Sequence, residues 1–348
     1  MQHIINGLIM AYIFTNTERN NLKASTFETK SLLYLAAQGS RYKDIAILSI
    51  DCFNDVSGMC DNENIWDIQA KGEKNLTPRK IGQYLFTLYK NFTSEFSDFF
   101  QEFIFFMPQL NERYVNDASL TNYGIENFKD IEKKKIFEGL KISANLNEGV
   151  NLKDFFRKVI FVEDRTTEHF YIKGIMKFKS SKLNDDNFYS AIFREIRDKQ
   201  TSLKNSEIEH SKIYRPNDVL NFNRHLTNVD LQLFVLNRLV GGDIFSNKNR
   251  LPSSYVSFTR SINDDDIEDH IFEQNAALSK AFFDKNNQNA FWRLFAAIFK
   301  SLSKDPRKKV SKIIDDLDQK LIDKTEHLDI NSARFLVAII RDGLINEN

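Results

Sequence analysis

Between Ser49 and Lys80 the sequence reads SIDCFNDVSGMCDNENIWDIQAKGEKNLTPRK, a stretch that concentrates acids, an amide and a lysine. Ile45 to Asp51 is an apolar run of strand length, Asn54 to Asn64 is rich in turn formers, and Ile65 to Lys71 alternates in character, so a hairpin is expected. Asp67, Gln69 and Lys71 are two residues apart and leave one face of the second strand, while Trp66, Ile68 and Ala70 leave the other. Covering that polar face with core is costly, whereas lining a cleft puts it to use. With Asp55 at the turn, the set offers oxygen ligands to a hard divalent cation such as Mg²⁺: a carboxylate oxygen of Asp55, the side-chain carbonyl of Gln69 and the backbone carbonyl of Ala70. Lys71 then lies beside the cation. The chemistry that such a group serves is phosphodiester hydrolysis, in which the metal acidifies a water and a cation steadies the developing charge. The bland alternative is an Asp67–Lys71 ion pair on a solvated edge strand, worth about 0 to 1 kcal/mol.

Several elements must position these groups. Ser25 to Ala37 reads as a helix capped by Ser25 or Thr26, with Phe27, Leu32, Leu35 and Ala36 as its apolar stripe. Glu28 falls in its first turn, either favoured there by the positive helix end or directed at the hairpin. Thr77-Pro78 is a strong helix start, and that helix runs to about Phe92. Glu102 to Met107 reads as a buried strand stopped by Pro108. The order is therefore helix, strand, strand, strand or bulged strand, helix, strand. Further on, Lys153 to Val162 switches from helical to strand character, and Asn187 to Gln200 is an amphipathic helix. A basic run follows, and Arg194, Arg197, Lys199 and Lys204 are expected on a solvated helix face.

The composition excludes several classes. Lys plus Arg equals Asp plus Glu at 48 each, so no global positive field announces nucleic acid, and phosphate contacts must come from a local patch. Lys74, Arg79 and Lys80 beside Lys71, at a helix start, are the candidates. There is no GxxxxGK[ST] loop and no GxSxG elbow, and the six histidines show no zinc spacing. Asp264 to Asp266 lacks the glycine and terminal glutamate of a calcium loop and reads as a helix start. Cys52 and Cys60 flank the turn and read as structural thiols. Ile4 to Phe14 is too short to span a bilayer, and no later run is long enough, so no membrane association and a cytoplasmic location are expected.

The residues of the hairpin carry a resemblance. An acid, a hairpin and then Gln69-Ala70-Lys71 where (D/E)xK would stand, in a helix, three strands, helix, strand layout, resembles the PD-(D/E)xK nuclease superfamily. More narrowly, IQAKG is similar to the QxK motif of the double-stranded DNA endonuclease domain found as the effector of CBASS anti-phage systems and as the nuclease subunit of Lamassu complexes. The resemblance covers roughly residues 1–225 and is strongest over Ile45 to Phe92. It implies an α/β (α+β) restriction-endonuclease-like domain over 1–225 with helical elaborations, and a Mg²⁺-dependent (or Mn²⁺-dependent) DNA endonuclease of anti-phage or anti-plasmid defence. Asp55 matches the family's metal-binding aspartate, Gln69 its second ligand and Lys71 its catalytic lysine, and the acid or amide of an upstream helix matches Glu28. Asp51 competes for the aspartate role, and Asp67 is a ligand or an outer partner of Lys71. The alternative is a non-catalytic DNA-binding or scaffold subunit.

The region 226–348 reads as all-helical, with a short helix at Leu231 to Leu239 ended by Gly241-Gly242. Its most apolar helix, Ala290 to Leu302, presents Trp292, Phe295, Ile298 and Phe299 as bundle core or as partner surface. A freely cutting nuclease would damage its host, and no ATPase or ligand-sensor motif is recognisable in the sequence. The region is therefore expected to dock onto a sensor or ATPase assembly, an SMC-like complex being one such partner, or to drive homo-oligomerisation.

Overall fold

The computed structural model describes residues 11–14, 22–37, 41–42, 44–60, 62–147, 150–176, 186–240, 251–284 and 286–346. The expected Gly241-Gly242 helix stop, and the start of the apolar Ile4 to Phe14 run, lie outside them. The chain forms two compact units, 1–174 with 193–228, and 175–192 with 229–348. Its class is α/β, with a mixed sheet and many helices. No described helix is long and apolar enough to cross a membrane.

In the first unit the elements run β1 (Tyr12–Ile13), α1 (Leu22–Ala37), β2 (Ile47–Ile50), β3 (Val56–Met59), β4 (Ile65–Ala70), α2 (Pro78–Tyr84), α3 (Phe86–Phe92), β5 (Phe100–Pro108), β6 (Asn122–Tyr123), α4 (Asp130–Ser143), α5 (Lys153–Lys158), β7 (Val159–Asp164), α6 (Glu168–Ile175), the later part of α7 (Asp186–Leu203), β8 (Lys212–Ile213) and β9 (His225–Thr227). Seven strands form one sheet in the order β6-β7-β5-β4-β3-β2-β9, and β1 pairs with β8 in a separate ribbon. β2, β3 and β4 are antiparallel neighbours, whereas β4, β5 and β7 run parallel.

The simple hairpin is thus replaced by a meander. β3 arises inside the stretch rich in turn formers, and β4 pairs with it rather than with β2. Val56, Ser57, Gly58 and Met59 are all buried, and a Cβ on Gly58 would stand 2.5 Å from Cδ1 of Ile45, so any larger residue there would have to push the Ile45 side chain aside. Small and polar residues hide this strand from a pattern reading because both its faces are covered.

Two helix expectations also change. α1 begins at Leu22, so Glu28 lies beyond its first turn and the helix-end explanation of that acid does not hold. The helix after Thr77 is divided at Leu85 into α2 and α3. Thr77 does cap α2, its hydroxyl accepting from the Lys80 amide at 3.4 Å, with Pro78 next. α1 packs on β3 and β4 from one side of the sheet, and α3 packs on β4 and β5 from the other. The abundant phenylalanines fill that second layer: Phe92, Phe103 and Phe155 meet at ring-centroid distances of 5.4 to 6.2 Å.

The second unit contains most of α8 (Asn228–Leu239) together with α9 (Ile267–Phe283), α10 (Gln288–Lys304), α11 (Val310–Asp316), α12 (Gln319–Asp323) and α13 (Ile330–Asn346). Asp264–Asp266 is a short 3₁₀ turn leading into α9, as a helix start should be. On α10 Trp292, Phe295, Ile298 and Phe299 are all buried, so this face is core and not an open partner surface.

α2 meets α4 through reciprocal glycines. A Cβ on Gly82 would lie 2.0 Å from the Ile136 carbonyl oxygen, and one on Gly139 would lie 2.1 Å from that of Arg79. Backbone is in the way at both points, so neither clash is relieved by a rotamer change. Gly82→Ala is expected to destabilise the protein by about 2 kcal/mol or more in chemical unfolding. Wild-type stability in that variant would mean that the helices separate easily.

Candidate functional site

The site lies where β4 ends and β3 begins. The turn from β2 to β3 places Asp51 at φ 54°, a left-handed conformation that aspartate tolerates better than most residues, and the Asp51 amide donates to the Asp55 carbonyl at 3.1 Å. This turn aims Asp55 at the end of β4. Oδ2 of Asp55 accepts from the Ala70 amide at 2.7 Å and from Nε2 of Gln69. Within a strand a residue's N–H and C=O leave the same edge, so the Ala70 carbonyl is on the side that faces Asp55.

The alternation along β4 is matched by polar residues of the helices that cover it. Asp67 meets Asn91, whose Nδ2 donates to Oδ2 at 2.7 Å; Gln69 meets Thr87, whose hydroxyl donates to Oε1; Lys71 sets its ammonium 5.4 Å from the centre of the Tyr84 ring. Positions 84, 87 and 91 have helical spacing, which is the signal by which Thr87 and Asn91 could have been found. Asp67 is fully enclosed, and also accepts from Ser57 Oγ at 2.7 Å and from Asn54 Nδ2 at 2.5 Å. It supports the hairpin from within rather than joining the Asp55–Gln69 group.

Asp51 and Glu28 are engaged by cations that local sequence does not reveal. Arg224, itself buried, donates to the Asp51 carboxylate at 3.2 Å and to its carbonyl at 3.0 Å, and also holds the carbonyls of Lys204 and Ser206 at 2.7 and 2.8 Å. Lys204 donates to Glu28 Oε2 at 2.5 Å, with the two side chains only 8% and 7% exposed. The expectation of a solvated Lys204 is therefore wrong: it lies just past the end of α7, where the chain turns inward and Arg224 fixes its carbonyl. Of the competing aspartates, it is Asp55 that touches Gln69, while Asp51 is drawn to Arg224.

The electrostatics follow from burial. Loss of water lifts the Asp55 carboxyl from 3.8 to about 7; Lys71, the Ala70 amide and Lys204 act against the rise, and Glu28 adds to it. Burial likewise lifts Asp67 to about 6, against the pull of Asn91, Ser57 and Asn54. Burial opposes the charge of Lys204, yet Glu28, Asp51 and Asp55 together hold its pKa above the ordinary lysine value. Cys52 and Cys60 are free and buried, and burial pushes the Cys52 thiol up to about 12, in keeping with structural thiols.

Outside the pocket, Lys74 and Arg79 are exposed, but Lys80 is paired with Glu73, which also accepts from the Tyr84 hydroxyl at 2.9 Å. The basic patch is thereby weaker than its sequence suggests. Among the described residues, the group of three carboxylate or imidazole ligands whose donor atoms fall within 4.8 Å of one another is Asp284, Glu326 and His327 of the second unit, partly to fully exposed. The chain matches no family model, no curated protein and no solved structure.

Both raised carboxyls keep protons in the folded state that the unfolded chain releases. Their stabilising effect is complete below 3.8 and is lost as pH rises through about 6 for Asp67 and about 7 for Asp55. In metal-free urea unfolding, wild type is expected to lose stability relative to Asp55→Asn between those limits. Parallel pH profiles would show that Asp55 does not titrate there.

Proposed function

We propose that the first unit is a metal-dependent DNA endonuclease of the PD-(D/E)xK type, with Gln69-Ala70-Lys71 as its lysine motif, serving as a defence effector governed by a partner assembly or by oligomerisation. The observation that carries the proposal is the meeting of Asp55, Gln69 and the Ala70 edge at the end of β4, with Lys71 and Glu28 in the electrostatic reach of Asp55. The order α1, β2, β3, β4, α2 with α3, then β5, supports the same assignment.

The donor set fits Mg²⁺ or Mn²⁺. Asp55, the Gln69 carboxamide and the Ala70 carbonyl are hard oxygen donors, and a carboxyl lifted to about 7 by burial is short of positive charge. Gln69 here offers its nitrogen to Asp55 and its oxygen to Thr87. A threonine hydroxyl both donates and accepts, so Thr87 serves either orientation of the amide and lets Gln69 turn its oxygen toward Asp55. The bound cation would polarise the phosphoryl group and acidify a water. Lys71 steadies negative charge at the reacting phosphate, and the Tyr84 ring face beside it holds the ammonium. Lys74 and Arg79 are available to flanking phosphates, and the second unit remains for partner contact.

A scaffold reading draws on the neutral total charge and on the pairing of Lys80 with Glu73. Incubating plasmid DNA with Mg²⁺ or Mn²⁺ separates the two. Lys71→Ala and Asp55→Ala are each expected to reduce cleavage by about 100-fold or more. DNA retention without Lys71-dependent cutting, even with partner proteins present, would favour the scaffold.

A further inference from the structure

Around Lys204 the first unit builds something that neither hydrolysis nor folding alone requires. Its ammonium is enclosed, is bonded to Glu28 at 2.5 Å, and is held charged by Glu28, Asp51 and Asp55. Those three carboxylates face three cations, Lys204, Arg224 and Lys71. Three cations therefore face three carboxyls before any metal enters, a balance in which Asp55, lifted to about 7 by burial, is the group least offset. Gln69 in place of an acid contributes to that balance, since it brings an oxygen without a negative charge.

Arg224 and Lys71 cannot play the part of Lys204. Arg224 is committed to Asp51 and to the carbonyls of residues 51, 204 and 206, and acts as a brace. Lys71 is half-buried and lies over the Tyr84 ring. Lys204 is a single flexible side chain whose polar contact is with Glu28, and its charge reaches Asp55. An ammonium among carboxylates is the arrangement that a divalent cation would otherwise occupy.

We propose that Lys204 is the resident counter-ion of this site, holding in the metal-free protein the place in the charge balance that a divalent metal takes. Metal then enters weakly by itself and tightly only when a phosphate-bearing substrate adds negative charge. The inference rests on the metal-binding assignment above and adds to it a means by which the protein without DNA stays unloaded.

Mn²⁺ binding in the absence of DNA tests this, read by calorimetry and by the metal-induced rise in melting temperature. Removing one charge beside the cation in Lys204→Met is expected to tighten Mn²⁺ about tenfold or more, while Lys204→Arg stays within about threefold of wild type. If the methionine variant is poorly folded without metal, Mn²⁺ should restore it and raise its melting temperature more than it raises that of wild type. Unchanged or weaker Mn²⁺ binding in Lys204→Met, or a variant that Mn²⁺ does not rescue, overturns the counter-ion role and leaves the metal assignment standing if wild type binds. Failure of both proteins to respond to millimolar Mn²⁺ removes the metal assignment and the counter-ion role together. Tighter binding in Lys204→Met without DNA cleavage by any form, even with partner proteins present, keeps the counter-ion role and removes the nuclease.

Discussion

A carboxylate taken out of water at the end of a strand is the constraint around which the first unit is arranged. Asp55 is buried, and a buried charge persists only if donors and opposite charges come to it. The turn at Asp51 delivers it, the Ala70 amide and Gln69 bond it, and Lys71 and Lys204 offset it. Each of these partners is in turn held by something further away: Gln69 by Thr87, Asp51 by Arg224, Lys204 by Glu28. The sheet supplies rigidity, and the helices on its two faces supply the second layer of polar contacts.

Much of this was legible in sequence because β4 writes its two faces in alternate letters. Asp67, Gln69 and Lys71 do share a face, and the polar residues of α2 and α3 answer them at helical spacing. Local punctuation was equally readable: Thr77-Pro78 opens α2, Pro108 ends β5, and the chain changes from α5 to β7 within Lys153 to Asp164. Such features depend on a few neighbouring residues, which is why one sequence suffices for them.

What escaped was whatever depends on a distant partner. β3 has no apolar pattern of its own, and its place between β2 and β4 is fixed by pairing on both edges and by the room that Gly58 leaves for Ile45. Glu28 reads either as a helix-start acid or as one directed at the hairpin, and it is the earlier start of α1 that removes the first reading. Lys204 looked like one of several surface cations, and its partner is 176 residues away. No periodicity spans that separation. The face of α10 was open between core and surface because an amphipathic stripe reads the same in either case; the surrounding helices decide it.

The separation of Glu28 from Lys204 is also a separation in the order of synthesis. A chain is made from its N-terminus, and contacts between distant segments are closed late. The acids, the amide and Lys71 emerge with α1 and the β2–β4 meander, whereas Lys204, Arg224 and β9 come more than a hundred residues later on the order of synthesis. During that interval the acids and Lys71 are present without the ammonium and guanidinium that balance them. The last segment of the first unit thus carries both the strand that ends the sheet beside β2 and the two cations that meet Glu28 and Asp51.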